Sequence, residues 1–339
     1  MSPQQVASLR VAQAKLPAPR GPVSERLIDV IRAKSGSALI RVEVPDDLDP
    51  WGEDAQLSLT LCQELHYRGW SDAGRDCEWD PVVIDVRIRI EDLFLAAIKG
   101  QISPPLSEAG TADAELGELA RMVPTGASDQ LARHGTEDEF RDYFTARSIY
   151  HLKEADPHAW AIPRLRGASK AAFVAVEFDE YGAGRADRVH QELFGDLLLS
   201  MQLDDSYLGY LDVAPAEVLA PVNLMSCFGL RRSLRGATIG HFAATEMTSP
   251  LGSARLVAGL ERIGAPEEAR HFYREHVEAD AVHEQVMRDQ VVAPLVADEP
   301  WLEADVLFGI GALQVVEERL DAAFLDAWGA GRSVMGPQR

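Results

Sequence analysis

His276, Asp280 and His283 follow one another at intervals of four and three residues. On a helix turning about 100° per residue, the second and third lie roughly 40° and −20° from the first. Three ligand-type side chains then share one stripe over two turns. If the stripe faces the interior, burying it is costly without a partner. If it faces water, it is a polar surface in an acid-rich chain, and this helix alone leaves both readings open. Glu275, Glu278 and Glu284 point elsewhere and read as solvated.

Two further pieces have the same chemistry. Glu180 and His190 flank a turn containing Gly182 and Gly184, so two helix ends can bring them together, although capping or surface roles also suit them. Glu246 sits among apolar Ile239, Phe242, Ala243 and Met247, where a carboxylate needs a cation or hydrogen-bond donors. Together these pieces offer three imidazoles and three carboxylates from separate helices. Such a mixed nitrogen and oxygen set suits iron or manganese. Carboxylate-bridged dimetal sites in helical bundles are built from inward Glu and His side chains. The paired Glu-x-x-His of ferritin-like sites is missing. Glu154-x3-His158 comes nearest, but Pro157 interrupts the helix, so His158 reads as structural and Glu154 stays open.

These residues need helices to position them. Apolar positions recur at helical spacing over about 137–155, 164–182, 186–203, 214–234, 237–248, 252–263, 266–291 and 301–326. The second half therefore reads as an all-α bundle. Upstream, the first twenty residues read as a mobile leader and Ala38–Val44 as a short strand. Leu57 to Leu65 and Ile84 to Ile98 read as helices, and 100–135, rich in Pro, Gly, Ser and Ala, as a linker or lid.

Composition narrows the class. The 339 residues hold 33 Lys and Arg against 54 Asp and Glu, a net charge of −21, which opposes nucleic-acid and membrane-surface binding. The basic leader lacks the apolar stretch of a signal peptide, and no uncharged apolar run reaches the roughly 20 residues that span a bilayer. Three cysteines without C-x-x-C spacing argue against disulfides or a cysteine zinc site. G-x-S-x-G, H-E-x-x-H and Walker motifs are absent, and Gly182-Ala183-Gly184 is no dinucleotide fingerprint. The bulk reading is a soluble cytoplasmic protein.

The order Glu180-x9-His190, Glu246, His276-x3-Asp280-x2-His283 resembles that of the haem-oxygenase-like diiron oxidases, a family of iron-containing redox enzymes. Asp179-Glu180-Tyr181-Gly182 and His190-Gln191-Glu192-Leu193-Phe194 are similar to that family's helix-turn-helix signature. The resemblance covers about residues 137–326. It implies an all-α, haem-oxygenase-like bundle over 136–330, while 1–135 forms a partly mobile, mainly helical extension without a counterpart in the family fold. By position, Glu180, His190, Glu246, His276, Asp280 and His283 become ligands of two Fe(II) ions. Glu154 occupies the place where the family supplies one more carboxylate. No catalytic residue beyond the ligands, no haem and no organic cofactor are implied.

The implied activity is an O2-dependent oxidation through a peroxo-diferric intermediate, with an external reductant as an option. Its outcomes are C–H desaturation, C–C cleavage or N-oxygenation of a small amino-acid-like or carboxylate substrate, as in natural-product biosynthesis. Arg147, His151 and Arg185 are the cations nearest in sequence to the ligands, and Phe242 and Tyr273 lie about one turn from them. All five are candidate substrate contacts. Two alternatives stand beside this reading: a cofactor-free oxidase of the same fold, and a non-catalytic acidic helical binding protein. Partners reduce to a small molecule, with neither nucleic acid nor membrane, and a homodimer is compatible with the sequence.

Overall fold

A computed structural model of the chain describes residues 13–33, 41–123 and 125–336, with the side chain of Asp280 outside the description. All regular structure in these residues is helical. No described helix is long and apolar enough to cross a membrane.

Five helices come first: α1 (Pro22–Arg32), α2 (Glu53–Glu64), α3 (Pro81–Lys99), α4 (Ala112–Leu119) and α5 (Ala127–His134). In α3 the alternation of Val86, Ile88 and Ile90 resolves as helical, with Val86 and Ile90 fully buried and Ile88 exposed. Asp80 caps its start by accepting from Val82 N, and Pro81 suits the first turn because it has no N–H to satisfy. The remaining elements are α6 (Glu137–His151), the single turn α7 (Asp156–Ala159), α8 (Gly167–Glu180), α9 (His190–Ser200), α10 (Ala216–Leu230) and α11 (Arg235–Ile263). They are followed by α12 (Glu267–Gln285), a π-helical segment (Val286–Val292), α13 (Ala293–Asp298) and α14 (Glu303–Gly329).

Four expectations change. The strand expected over Ala38–Val44 falls partly on residues outside the description, and 41–44 are irregular. Val44 O there accepts from the Arg89 guanidinium at 2.8 Å, so β propensity without a partner strand does not prevail. The region expected to be a linker or lid holds α4 and α5, whose Leu116, Leu119 and Leu131 are buried. Residues 237–248 and 252–263 form one helix, α11, with Pro250 inside it. Packing against α5, α12 and α14 along its length outweighs the proline, which has no N–H to give the Glu246 carbonyl. In the leader, residues 1–12 lie outside the description, while Leu16 is buried and its N–H donates to Asp72 Oδ1 at 2.9 Å.

One apolar cluster joins helices on both sides of residue 135, including Leu27, Leu57, Phe94, Phe144, Phe272 and Phe324. α11 packs chiefly on α5, α12 and α14. Its Gly240 lies against the Val306 carbonyl, and Gly309 of α14 lies against the Ala237 carbonyl. A β-carbon at either glycine would overlap backbone, which cannot swing aside as a side chain can. Gly309→Ala should therefore destabilise the protein by about 1–3 kcal/mol in denaturant titrations. Gly252→Ala, which meets no neighbour within 4 Å, should be neutral or gain up to about 1 kcal/mol.

Candidate metal centre

Glu180 is the last residue of α8 and His190 the first of α9. Between them Gly182 takes φ +71°, and a β-carbon there would meet the Arg188 carbonyl carbon at 2.7 Å. This tight reversal aims Glu180 Oε2 at His190 Nδ1, 2.8 Å away. From α12, His276 and His283 project toward the same point, α11 contributes Glu246, and the segment after α6 contributes Glu154. All six residues are at most 7% exposed.

They form two overlapping donor sets. In position A, ligand atoms of Glu154, Glu180, His190 and His276 lie within 4.8 Å of one another. In position B the same holds for Glu180, Glu246 and His283. Glu180 belongs to both: Oε2 faces His190, and Oε1 lies 3.6 Å from His283 Nδ1. Glu246 Oε2 completes position B at 3.3 Å from the same nitrogen. Asp280 belongs to α12, and its side chain lies outside the described residues.

The surrounding hydrogen bonds fix which atoms face inward. His276 Nδ1–H donates to the Phe272 carbonyl at 2.8 Å, leaving the Nε2 lone pair toward Glu154 Oε2 at 3.6 Å. His283 Nε2–H donates to Asp179 Oδ2 at 3.3 Å, leaving Nδ1 inward. His151 Nδ1–H donates to Glu154 Oε1 at 2.7 Å, so His151 orients a ligand. Such partners of a ligand set its tautomer and angle.

Electrostatics follow from this crowding. Burial raises the pKa of Glu154 and Glu180, but the facing imidazoles prevail and hold both carboxyls below the usual range. Burial also opposes charge on His283, yet the carboxylates of Glu246, Glu180 and Asp179 push its pKa up to about 9. Without metal, a proton on His283 thus serves as the cation of position B. Glu177, one turn before Glu180, behaves oppositely. Burial, reinforced by the charges of Glu180, Glu246 and Asp156, lifts its pKa well above the carboxylate range, so it stays neutral. The Tyr150 hydroxyl is held protonated by burial and the fields of Glu154, Glu180, Glu246 and Glu177.

A metal ion fits this arrangement. Glu154 Oε2 and His190 Nδ1 are buried and make no hydrogen bond, although the His190 nitrogen nearly touches Glu180. Two lone pairs brought that close require a cation between them. The donors are oxygen and nitrogen only, which selects iron or manganese over thiolate-preferring metals. Cys62, Cys77 and Cys227 are buried as free thiols and belong to neither donor set.

The candidate substrate contacts take varied places. His151 holds Glu154. Arg147 pairs with Glu317 through both terminal nitrogens, at 3.0 and 2.6 Å. Tyr273 is buried with its ring 6.0 Å from that of Phe144. Phe242 stacks on His158 at 4.3 Å within the core, and Arg185 lies at the surface beside Asp187. Sequence reasoning missed Asp179, Glu177 and Tyr150. All three are polar groups one to four positions from a ligand, which was the available signal.

Because a metal-bound imidazole must be neutral, filling position B should expel the His283 proton. In the metal-free chain the raised pKa stabilises the fold fully below about 6.5, and that contribution fades as pH rises toward 9. Fe(II) titration at pH 7.5 in buffers of different ionisation enthalpy should show about one more proton released by wild type than by His283→Ala. Asp179→Asn should weaken the ion in position B by about 10–100-fold and leave position A nearly unchanged, as read by Fe(II) titration.

Residues 141–317, just over half the chain, match the sequence model of a family described as iron-containing redox enzymes. No curated protein matches the sequence significantly. The family match, the all-helical fold and the buried Glu and His cluster agree, and the chain belongs to the iron-containing redox enzymes of haem-oxygenase-like fold.

Proposed function

We propose that this protein is a non-haem diiron oxidase that uses O2 to oxidise a small amino-acid-like or carboxylate substrate. The observation that carries this reading is Glu180, whose two oxygens face two different donor sets, so one carboxylate can bridge two ions. Two Fe(II) ions held there supply the electrons for reducing O2 and the oxidising power to attack a C–H or N–H bond. A cofactor-free oxidase has no use for such a paired donor set. A non-catalytic binding protein would bear the desolvation cost of the cluster for no return.

The chain's own groups do the remaining work. Glu154, Glu180, His190, Glu246, His276 and His283 provide ligand atoms, and Asp280 lies in sequence between His276 and His283 in α12. His151, Asp179 and the Phe272 carbonyl orient those ligands. Glu177 and Tyr150 hold protons within the field of the ligand carboxylates, and Phe194 and Phe272 pack as an apolar wall beside His151. Two buried donors support a carboxylate-bearing substrate: Arg147 Nε–H and Tyr273 O–H make no hydrogen bond among the described residues. The charges of Arg147 and Glu154 both act on the Tyr273 hydroxyl, which supports a carboxylate-binding role for these donors. The −21 net charge supports a small-molecule substrate over nucleic acid.

Anaerobic Fe(II) loading should give two ions per wild-type chain, two in Glu177→Gln, and one in His283→Ala. O2 should then produce a visible transient that depends on both iron and substrate. Wild type that takes up no more iron than a His276→Ala, His283→Ala variant would overturn the reading. With a carboxylate substrate in hand, Arg147→Lys should raise KM roughly tenfold, the worth of one charge-assisted hydrogen bond, with less effect on kcat.

A further inference from the structure

Glu154 approaches the centre from a loop, unlike the other ligands. The residue after it, Ala155, has φ +69° and ψ −38°, a conformation that L residues with a β-carbon avoid and that surrounding structure must enforce. The groups that hold this segment come from far along the chain, most of them upstream. Glu64, the last residue of α2, is 1% exposed and lies 3.0 Å from Lys153 Nζ through Oε2. Tyr207 O–H donates to the same carboxylate at 2.9 Å, and the Lys153 ammonium sits 4.2 Å from the Tyr67 ring centroid. Arg68 lies in the turn after α2. Its Nη2 donates to the Leu152 carbonyl at 3.3 Å and to Gln191 Oε1 at 3.0 Å. Gln191 Nε2 in turn donates to the Glu154 carbonyl at 2.9 Å.

Leu152, Lys153 and Glu154 are thus held one after another, and the last link is the neighbour of His190. The guanidinium of Arg68 ties the loop that carries Glu154 to the helix start that carries His190, two ligands of position A. Its plane also lies 4.1 Å from the Tyr207 ring centroid, which fixes its orientation. A buried ion pair such as Glu64 with Lys153 contributes little net stability because desolvation offsets the attraction. What it does fix is geometry. The family match begins at residue 141, so Glu64 and Arg68 lie outside the matched region.

We propose that Arg68 and Glu64 are positioning residues of the metal centre: the segment after α2 holds Glu154 against His190 and so creates position A, while position B forms without it. This rests on the two-ion reading above. Position B draws on Glu180, Glu246 and His283 of α8, α11 and α12 and does not use Glu154, whereas Arg68 and Glu64 act on Leu152, Lys153 and Gln191.

The test uses the full chain. Arg68→Lys keeps the charge but loses the planar fork that reaches two acceptors. Glu64→Gln with Lys153→Met removes the buried ion pair in case the first variant is too mild. Each is titrated anaerobically with Fe(II) in a His283→Ala background, which reports position A, and in a His190→Ala background, which reports position B. Hydrogen exchange is also measured on each metal-free protein. The expected result is about tenfold or greater loss of affinity at A with little change at B. Amides of 152–156 should exchange faster while those of α14 do not. Equal loss at both positions, or unchanged affinity and exchange in both variants, would overturn the proposal. If wild type binds fewer than two ions the diiron reading fails by itself, and exchange at 152–156 still decides whether Arg68 and Glu64 hold the loop.

Discussion

Burying imidazoles and carboxylates face to face inside an apolar bundle is the constraint on which this structure turns. Glu154, Glu180 and Glu246 are each almost wholly removed from water, and two of them lie within 4 Å of two different imidazoles. Desolvation penalises every charge in the group, so the arrangement persists only with positive charge between the oxygens. A proton on His283 provides part of that charge in the metal-free chain, and metal ions bound there would provide more.

The rest of the fold makes this arrangement hard to relax. α11 and α14 meet at Gly240 and Gly309, backbone against backbone, so the helix that carries Glu246 has no room to move outward. The turn at Gly182 locks Glu180 to His190, and α12 continues directly into a π-helical segment packed on α8. Such segments often accompany functional sites because they re-aim a helix without ending it. On the other flank, α2 and the turn after it clamp the loop bearing Glu154. Residues outside the family match thus contact the loop that carries one of the buried carboxylates of the matched region.

Protonation within the site is divided by position. Glu154 and Glu180 face imidazoles and are ionised, whereas Glu177, on the same helix as Glu180 but facing only other acids, keeps its proton. Carboxyls three residues apart thus differ in charge because of what lies opposite each. This places candidate metal ligands and a proton-bearing group within one small volume of an iron-containing redox enzyme.

What the sequence determined by itself was whatever repeats with the helix. The stripe of His276 and His283, the reversal between Glu180 and His190, and the bundle that carries them follow from local periodicity and turn residues, and that order also revealed the family. Tertiary structure decided the rest, because those features depend on contacts far apart along the chain. Arg147 was a candidate substrate contact by its place in the sequence, and only the fold set Glu317, 170 residues away, against it. The apolar residues of 41–44 suggested a strand but found no partner strand, and Pro250 suggested a helix end that packing on several sides overrode. Glu154 is the clearest case. Helical spacing carried the expected helix through residue 155, but α6 ends at His151, and Arg68, 84 residues before Leu152, bonds a carbonyl of the loop that carries Glu154.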